Sequence, residues 1–356
     1  MHAGATVSTA TPANDALALP SARQIARKVA IALAATGAAV MLATTLPGLE
    51  ELPAHLAGAD PAWIAGALVL EILSTLSFSL AFHGAFERRS TPRTSASMSL
   101  AVQGMNILLP AGGSGGLAVG AVIMDRAGVP RGFAASRTVA LFLVTSLVSF
   151  AAIIVAGLGV ATGLLSGEAA LVATLVPAAG SLLLIAAVAL LPRLIRADVE
   201  RPDGRVRGIL WSARTHLSDG VDASGALLRG GDPLVIWGSI GYFAFDVAAI
   251  AAAFHAVGVD GLPVGLLILA YTLGHAGAII PLPGSSEGGL IGMFVLYGAS
   301  LSGATAAVLA YRAVHAGVPM ALGLIGLADV RRLLRRGEPL HQPVLSDGVR
   351  HDPAYA

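Results

Sequence analysis

The chain has 356 residues, 55% of them hydrophobic and 12% charged, with a formal net charge of +1 and a mean hydropathy of +0.78. This composition excludes a soluble globular domain, and several apolar stretches of about 18 residues or more mark an integral membrane protein. The absence of Cys excludes disulfides, thiolate catalysis and Cys-ligated metals, and nothing in the composition calls for a nucleic-acid partner or a cofactor.

Residues 1–22 are polar and Ala/Thr/Pro-rich without a basic n-region, which predicts a disordered tail rather than a cleavable signal peptide. Arg23, Arg27 and Lys28 then precede the first of six predicted spans, at about 29–47, 63–86, 137–160, 169–191, 234–257 and 304–327. Two further apolar regions are broken by turn residues. Leu109-Pro110-Ala111-Gly112-Gly113-Ser114-Gly115-Gly116-Leu117 recurs as Leu282-Pro283-Gly284-Ser285-Ser286-Glu287-Gly288-Gly289-Leu290, the same L-P-x4-G-G-L twice. Each copy is followed by Ala-x-Arg-x-Val, Ala135 to Val139 and Ala310 to Val314. The arms around the first copy, Ser97 to Leu109 and Gly115 to Asp125, are only about 17 to 20 Å long as helices, short of the roughly 30 Å of hydrocarbon. Each region therefore reads as a re-entrant hairpin, with Pro110, Gly112, Gly113, Gly115 and Gly116 turning the first and Pro281, Pro283, Gly284, Gly288 and Gly289 the second.

Charge placement tests that reading. With both hairpins returning to the side they left, Arg88, Arg89, Arg93, Arg126, Arg131, Arg137, the seven Arg residues between 193 and 229, and Arg331, Arg332, Arg335 and Arg336 all fall on one side. The opposite loops carry Glu50, Glu51, Asp60, Glu168 and Asp260 and no Lys or Arg. Converting either hairpin into a full span breaks this positive-inside pattern. The hairpins then enter from opposite faces, and the chain reads as an inverted repeat with units at about 63–160 and 234–327. The positive-inside rule then predicts both termini in the cytoplasm, and the bias of 21 Arg to one Lys fits a GC-rich bacterial genome, so the expected localisation is a bacterial plasma (inner) membrane. The fold class is all-α and polytopic: one transmembrane domain over 23–337, a cytoplasmic amphipathic loop at 193–233 and a disordered tail at 338–356. In that loop Val206, Ile209, Leu210, Ala213, Leu217 and Val221 recur at near-helical spacing with Arg205, Arg207 and Arg214 between them, as in a surface-lying helix. It binds anionic headgroups in one reading and caps the helix bundle in the other, simpler one.

Broken helices at matching positions of two inverted halves point to a substrate site near the midplane, and charges within spans mark its candidates. Arg312 lies about eight residues into the last span and Glu287 at the tip of the preceding hairpin; a pair between them is either structural or open to an anionic headgroup. Arg137 is the repeat counterpart of Arg312, with Gly116 where an acid would stand, so it reads as an unpaired anion site or as a residue snorkelling to the headgroups. Glu71 and Asp246 occupy similar positions in the first spans of the two units. They relay protons, bind a coupling cation, or are protonated and hydrogen-bonded to neighbouring helices. Tyr271 and His275 share one helix face, as do Arg312 and His315. No two candidates show a local metal spacing, so no metal is expected. Ser114, Ser285 and Ser286, with the backbone N–H groups of the tips, are suited to phosphate oxygens.

In these residues the chain resembles the transmembrane region of lysylphosphatidylglycerol synthases, a flippase-like family found also as stand-alone bacterial proteins. The resemblance covers roughly residues 25 to 335. Its specific parts are Asn106 to Pro110 with the glycines that follow, Pro281 to Gly284 with the acid and glycines after it, Leu296-Tyr297-Gly298, and Tyr311-Arg312. Family members carry an acid after a Pro-x-Pro-Gly-Gly turn, a position Glu287 fills through a shorter turn. Many have Gly-Glu where this chain has Gly115-Gly116, so that first acid is absent here. The resemblance implies movement of a lipid or lipid-linked anionic substrate without an aminoacylating reaction, with membrane lipids as partners. Two other classes stay open: an intramembrane enzyme, with Ser114 as nucleophile and His275 as base in a G-x-S-G setting, and a membrane scaffold.

Overall fold

A computed structural model describes residues 47–108, 114–126, 128–195, 205–279 and 284–336, with positions 23, 27 and 30. The span expected at 29–47, both tails, and the turn residues Pro110, Gly112, Gly113, Pro281 and Pro283 lie outside the described residues. Eleven α-helices are described: α1 Leu52–Ala57, α2 Pro61–Ala85, α3 Pro92–Leu108, α4 Ser114–Arg126, α5 Arg131–Ala161, α6 Leu171–Ile195, α7 Arg205–Gly230, α8 Pro233–Ala256, α9 Val264–Gly274, α10 Ser285–Leu296 and α11 Leu301–Arg335. A 3-10 turn, His275–Ile279, extends α9. There is no strand among the described residues.

Five helices, α2, α5, α6, α8 and α11, are long and apolar enough to cross a membrane. They are five of the six spans the hydropathy predicts. The four helices beside the turn motifs have 17, 13, 11 and 12 residues, or about 26, 20, 17 and 18 Å. The first of these arms starts at Pro92, earlier than Ser97, because Pro92 supplies an N-terminal start on the polar side of the apolar run. The last span also runs longer than expected, to Arg335, carrying its Arg cluster out of the apolar region.

Spans α2 and α8 begin alike. Asp60 and Asp232 are N-caps whose side chains accept from the amides of Ala62 and Leu234 at 2.8 and 2.9 Å. Each precedes a proline whose missing N–H costs nothing at the first helical position. The two helices lie antiparallel: the Asp60 amide donates to the Ala256 carbonyl at 2.7 Å, while at the far end Arg88 Nη2 donates to Asp232 Oδ1 at 3.0 Å. Small residues bring their backbones together, as in other membrane helix pairs. A Cβ on Gly238 would lie 2.6 Å from the Ala81 nitrogen.

Helix α3 runs against α11 in the same manner. Arg93 and Ser97 hold Asp329 at 3.0 and 2.7 Å, and a Cβ on Gly104 would sit 2.7 Å from Gly323 Cα. Helix α9 meets α5 at the other end of the bundle, where a Cβ on Gly265 would lie 2.6 Å from Val160. Hairpin α3–α4 thus starts at the Arg-rich end, and hairpin α9–α10 at the end bearing Asp60. Within the second hairpin, a Cβ on Gly289 would collide with the Gly274 carbonyl oxygen.

One hydrophobic core, around Phe254, Leu269, Leu290, Phe294 and Tyr311, fills the end beside the second hairpin. Another, around Phe82, Met105, Ile123, Val235 and Val330, fills the Arg-rich end. Helix α6 leaves Val172, Val176, Leu182 and Leu183 exposed, the surface a lipid-facing helix presents. The amphipathic helix α7 packs on α5 and α6 and buries Val221, Ser224 and Leu227, so its second half caps the bundle; the side chains of Arg205, Arg207 and Arg214 lie outside the described ones.

Candidate functional site

Asp246 sits mid-way along α8 and is buried. A carboxylate in such a place is stable only when its oxygens are hydrogen-bonded, and two tyrosines do this. Tyr271 of α9 donates to Oδ2, and Tyr311 of α11 donates to Oδ1 at 2.9 Å. The phenol oxygens are 3.2 Å apart. One turn beyond Tyr311, the His315 ring stacks on it with centroids 5.0 Å apart. His315 Nδ1 lies 3.2 Å from Asp246 Oδ1 and 3.2 Å from Glu71 Oε1 of α2. Glu71 is only 2% exposed, and its Oε2 has no hydrogen-bond partner. The cluster therefore gathers α2, α8, α9 and α11 around two buried carboxylates. Pro319 lacks an N–H, so the His315 carbonyl is without its helical donor beside this cluster.

His275 flanks the group from the 3-10 turn, its ring 4.4 Å from that of Tyr271 and its Nδ1 2.9 Å from the Tyr271 carbonyl. That bond occupies one ring nitrogen. The side chain of Ser114, its proposed partner in an enzyme, lies outside the described ones.

Arg312 turns elsewhere, although it shares a helix face with His315. Its Nε donates to Glu287 Oε1 at 2.8 Å and its Nη2 to Ser286 Oγ at 2.6 Å. Both partners belong to the first turn of α10, which Gly284 starts in the left-handed region at φ 82°. Here helix geometry leaves backbone N–H groups without intrahelical acceptors, and Ser285, Gly288 and Gly289 lie in the same two turns. The pair is not sealed: the side chains of Arg312 and Glu287 are 25% and 36% exposed.

Arg137, read from the sequence as an unpaired anion site or as a residue snorkelling to the headgroups, has an acid partner. It is ion-paired with Glu87, which also holds Arg89. Glu87 and Arg88 take left-handed backbone at φ 57° and 54°, and this sharp turn after α2 brings Glu87 to the start of α5. The guanidinium carbons of Arg89 and Arg137 lie 4.6 and 5.2 Å from the centroid of the Phe133 ring. Gly115 and Gly116 fall in the first turn of α4.

Away from both clusters, a cavity of about 500 Å³ opens between α5, α6 and α7. Leu147, Phe150, Leu184 and Val188 make its wall apolar, while Asp222 and Arg229 give it a charged edge.

Five apolar spans and the absence of any strand among the described residues define a multi-pass integral membrane protein. The family model of the lysylphosphatidylglycerol synthase transmembrane region matches residues 28–323, and the chain belongs to that family. No curated protein gives a significant match.

Proposed function

We propose that the protein is a flippase-like transporter, not an enzyme, that moves a lipid or lipid-linked anionic substrate across the bacterial plasma membrane. The observation that carries this reading is the Arg312–Glu287–Ser286 group. A guanidinium held at the N-terminal turn of a short helix, and partly open, is chemically suited to exchange a carboxylate for a phosphate oxygen. In this reading Arg312, Ser285 and Ser286 receive the headgroup and Glu287 holds the arginine when no headgroup is bound.

The reading takes α2–α5 and α8–α11 as the two halves of an inverted repeat with re-entrant hairpins. It is supported by the matching Asp-Pro helix starts, the antiparallel α2–α8 contact, and the pairing of each hairpin with the last span of the other half. It places the Arg-rich end in the cytoplasm by the positive-inside rule. The apolar cavity beside α7 is of a size to take acyl chains, with Arg229 at its edge.

Lipid retention tests the reading directly. Anionic lipids from the native envelope should co-purify with the detergent-solubilised protein and be detected by native mass spectrometry, with clear depletion in Arg312→Ala. Equal lipid profiles in the two proteins would remove Arg312 from the substrate site.

A further inference from the structure

We propose that Glu71, Asp246 and His315 form a binding site for a divalent metal ion of the zinc or manganese class, between α2, α8 and α11. Glu71 Oε1, Asp246 Oδ1 and His315 Nδ1 all lie within 4.8 Å of one another. The nitrogen is 3.2 Å from each oxygen. With metal–ligand distances of about 2.0–2.2 Å, neighbouring ligands stand about 3.3–3.6 Å apart in a tetrahedron and about 2.8–3.1 Å apart in an octahedron. The two nitrogen–oxygen separations lie between these two ranges, short enough for both pairs to share one ion.

Hydrogen bonding alone leaves this group unbalanced. His315 Nδ1 faces three oxygens, those of Glu71, Asp246 and, at 3.1 Å, Tyr311, and it carries at most one proton. The Tyr311 proton is engaged by Asp246. Glu71 Oε2 has no donor, though its residue is almost wholly buried. A cation between the two carboxyl groups would engage Glu71 through either or both oxygens and neutralise the carboxylates that bind it. Nearby Arg312 is committed to Glu287 and Ser286.

The surroundings are those of a built metal site. Tyr271 and Tyr311 fix the Asp246 carboxylate from both sides, the role that outer hydrogen bonds play for metal ligands. Tyr311 also stacks on the imidazole and sets its plane. A set of two carboxylates and one imidazole suits manganese, iron(II) or zinc better than calcium or copper(I). The three ligands come from three transmembrane helices, so the ion would tie the two halves of the bundle together.

The test uses the full chain in detergent or nanodiscs, stripped with a chelator and then titrated with Zn²⁺ or Mn²⁺ alone. Mass-spectrometric metal analysis should find about one ion per chain, with Kd below about 100 µM and a raised thermal midpoint. Glu71→Gln and His315→Gln should each lower affinity at least about 100-fold, and Tyr271→Phe, which only positions Asp246, about 10-fold. His55→Gln, at the bundle end, should bind as the parent does. A parent protein that takes up neither ion in this range overturns the proposal in favour of a cluster that shares protons, whatever the folding of the variants. Undiminished binding by a folded His315→Gln protein overturns it equally. Because occupancy is read without transport, its failure is distinct from failure of the lipid-transport reading.

Discussion

Replacing Arg312 with Gln leaves Glu287 with no cation at the start of α10, and the cost can be worked from the geometry. At the observed 2.8 Å, two unit charges attract by about 1.5 kcal/mol in bulk water and about 6 kcal/mol at an effective dielectric of 20. Both side chains keep a quarter to a third of their surface, so hydration cancels much of the larger figure. The net coupling belongs between an exposed pair, about 0.2–1 kcal/mol, and the 3–5 kcal/mol lost when a buried pair is broken, at about 1–2 kcal/mol. Glu287→Gln and Arg312→Gln should each destabilise the solubilised protein, and the double variant should lose less than the sum by about 1–2 kcal/mol. The assay is denaturant unfolding of all four proteins in one detergent. Additivity within about 0.3 kcal/mol would refute the reasoning, because it would mean that the two charges do not sense each other.

Tyr271→Phe and Tyr311→Phe each remove a buried hydrogen bond to the Asp246 side chain and should each cost about 1–3 kcal/mol in the same unfolding assay; an unchanged midpoint for both would mean that Asp246 is not held as an acceptor. Gly104→Ala inserts a Cβ 2.7 Å from Gly323 Cα and 2.8 Å from the Pro319 carbonyl and should cost about 1–3 kcal/mol by overpacking. Gly292→Ala in α10 meets nothing within 4 Å and should be neutral or gain about 0.5–1 kcal/mol; the reverse order would contradict the close α3–α11 crossing. Because the chain has no Cys, single cysteines at Ala57 and Ala226 should react with impermeant reagents from opposite sides of the membrane, and labelling of both from one side would break the proposed topology. Ser114→Ala should keep most activity and the parent should resist serine-directed phosphonates; covalent labelling at Ser114 would favour the enzyme alternative.

Much of the architecture was legible because hydropathy and charge are one-dimensional signals. The apolar runs marked α2, α5, α6, α8 and α11, and the Gly/Pro motifs marked where short helices interrupt them. The Arg312–Glu287 contact could be anticipated because each is an isolated charge in apolar sequence, which makes them natural partners. The partner of Arg137 is hidden for the complementary reason. Its acid, Glu87, sits in a basic turn where it looks like one more solvated charge, and only the left-handed backbone at Glu87 and Arg88 sends it to α5. The Glu71–Asp246–His315 group was legible only as separate residues. Its members lie 69 to 244 positions apart on three helices, so no ligand spacing exists to be read along the chain. The sequence sets His315 beside Arg312 on one helix face, whereas its ring stacks on Tyr311 and meets the two carboxyl groups only once α11 is packed against α2 and α8.

The central claim is that the protein moves an anionic lipid or lipid-linked substrate, and the most direct measurement is transbilayer movement in proteoliposomes made from native envelope lipids. A panel of headgroup-labelled anionic lipids is followed by the fraction of label that a membrane-impermeant quencher reaches over time. The account predicts faster exchange of at least one lipid than in protein-free vesicles, with strong impairment by Arg312→Ala in protein shown to be folded. Exchange no faster than in empty vesicles across the whole panel, or acceleration that Arg312→Ala leaves intact, would contradict it.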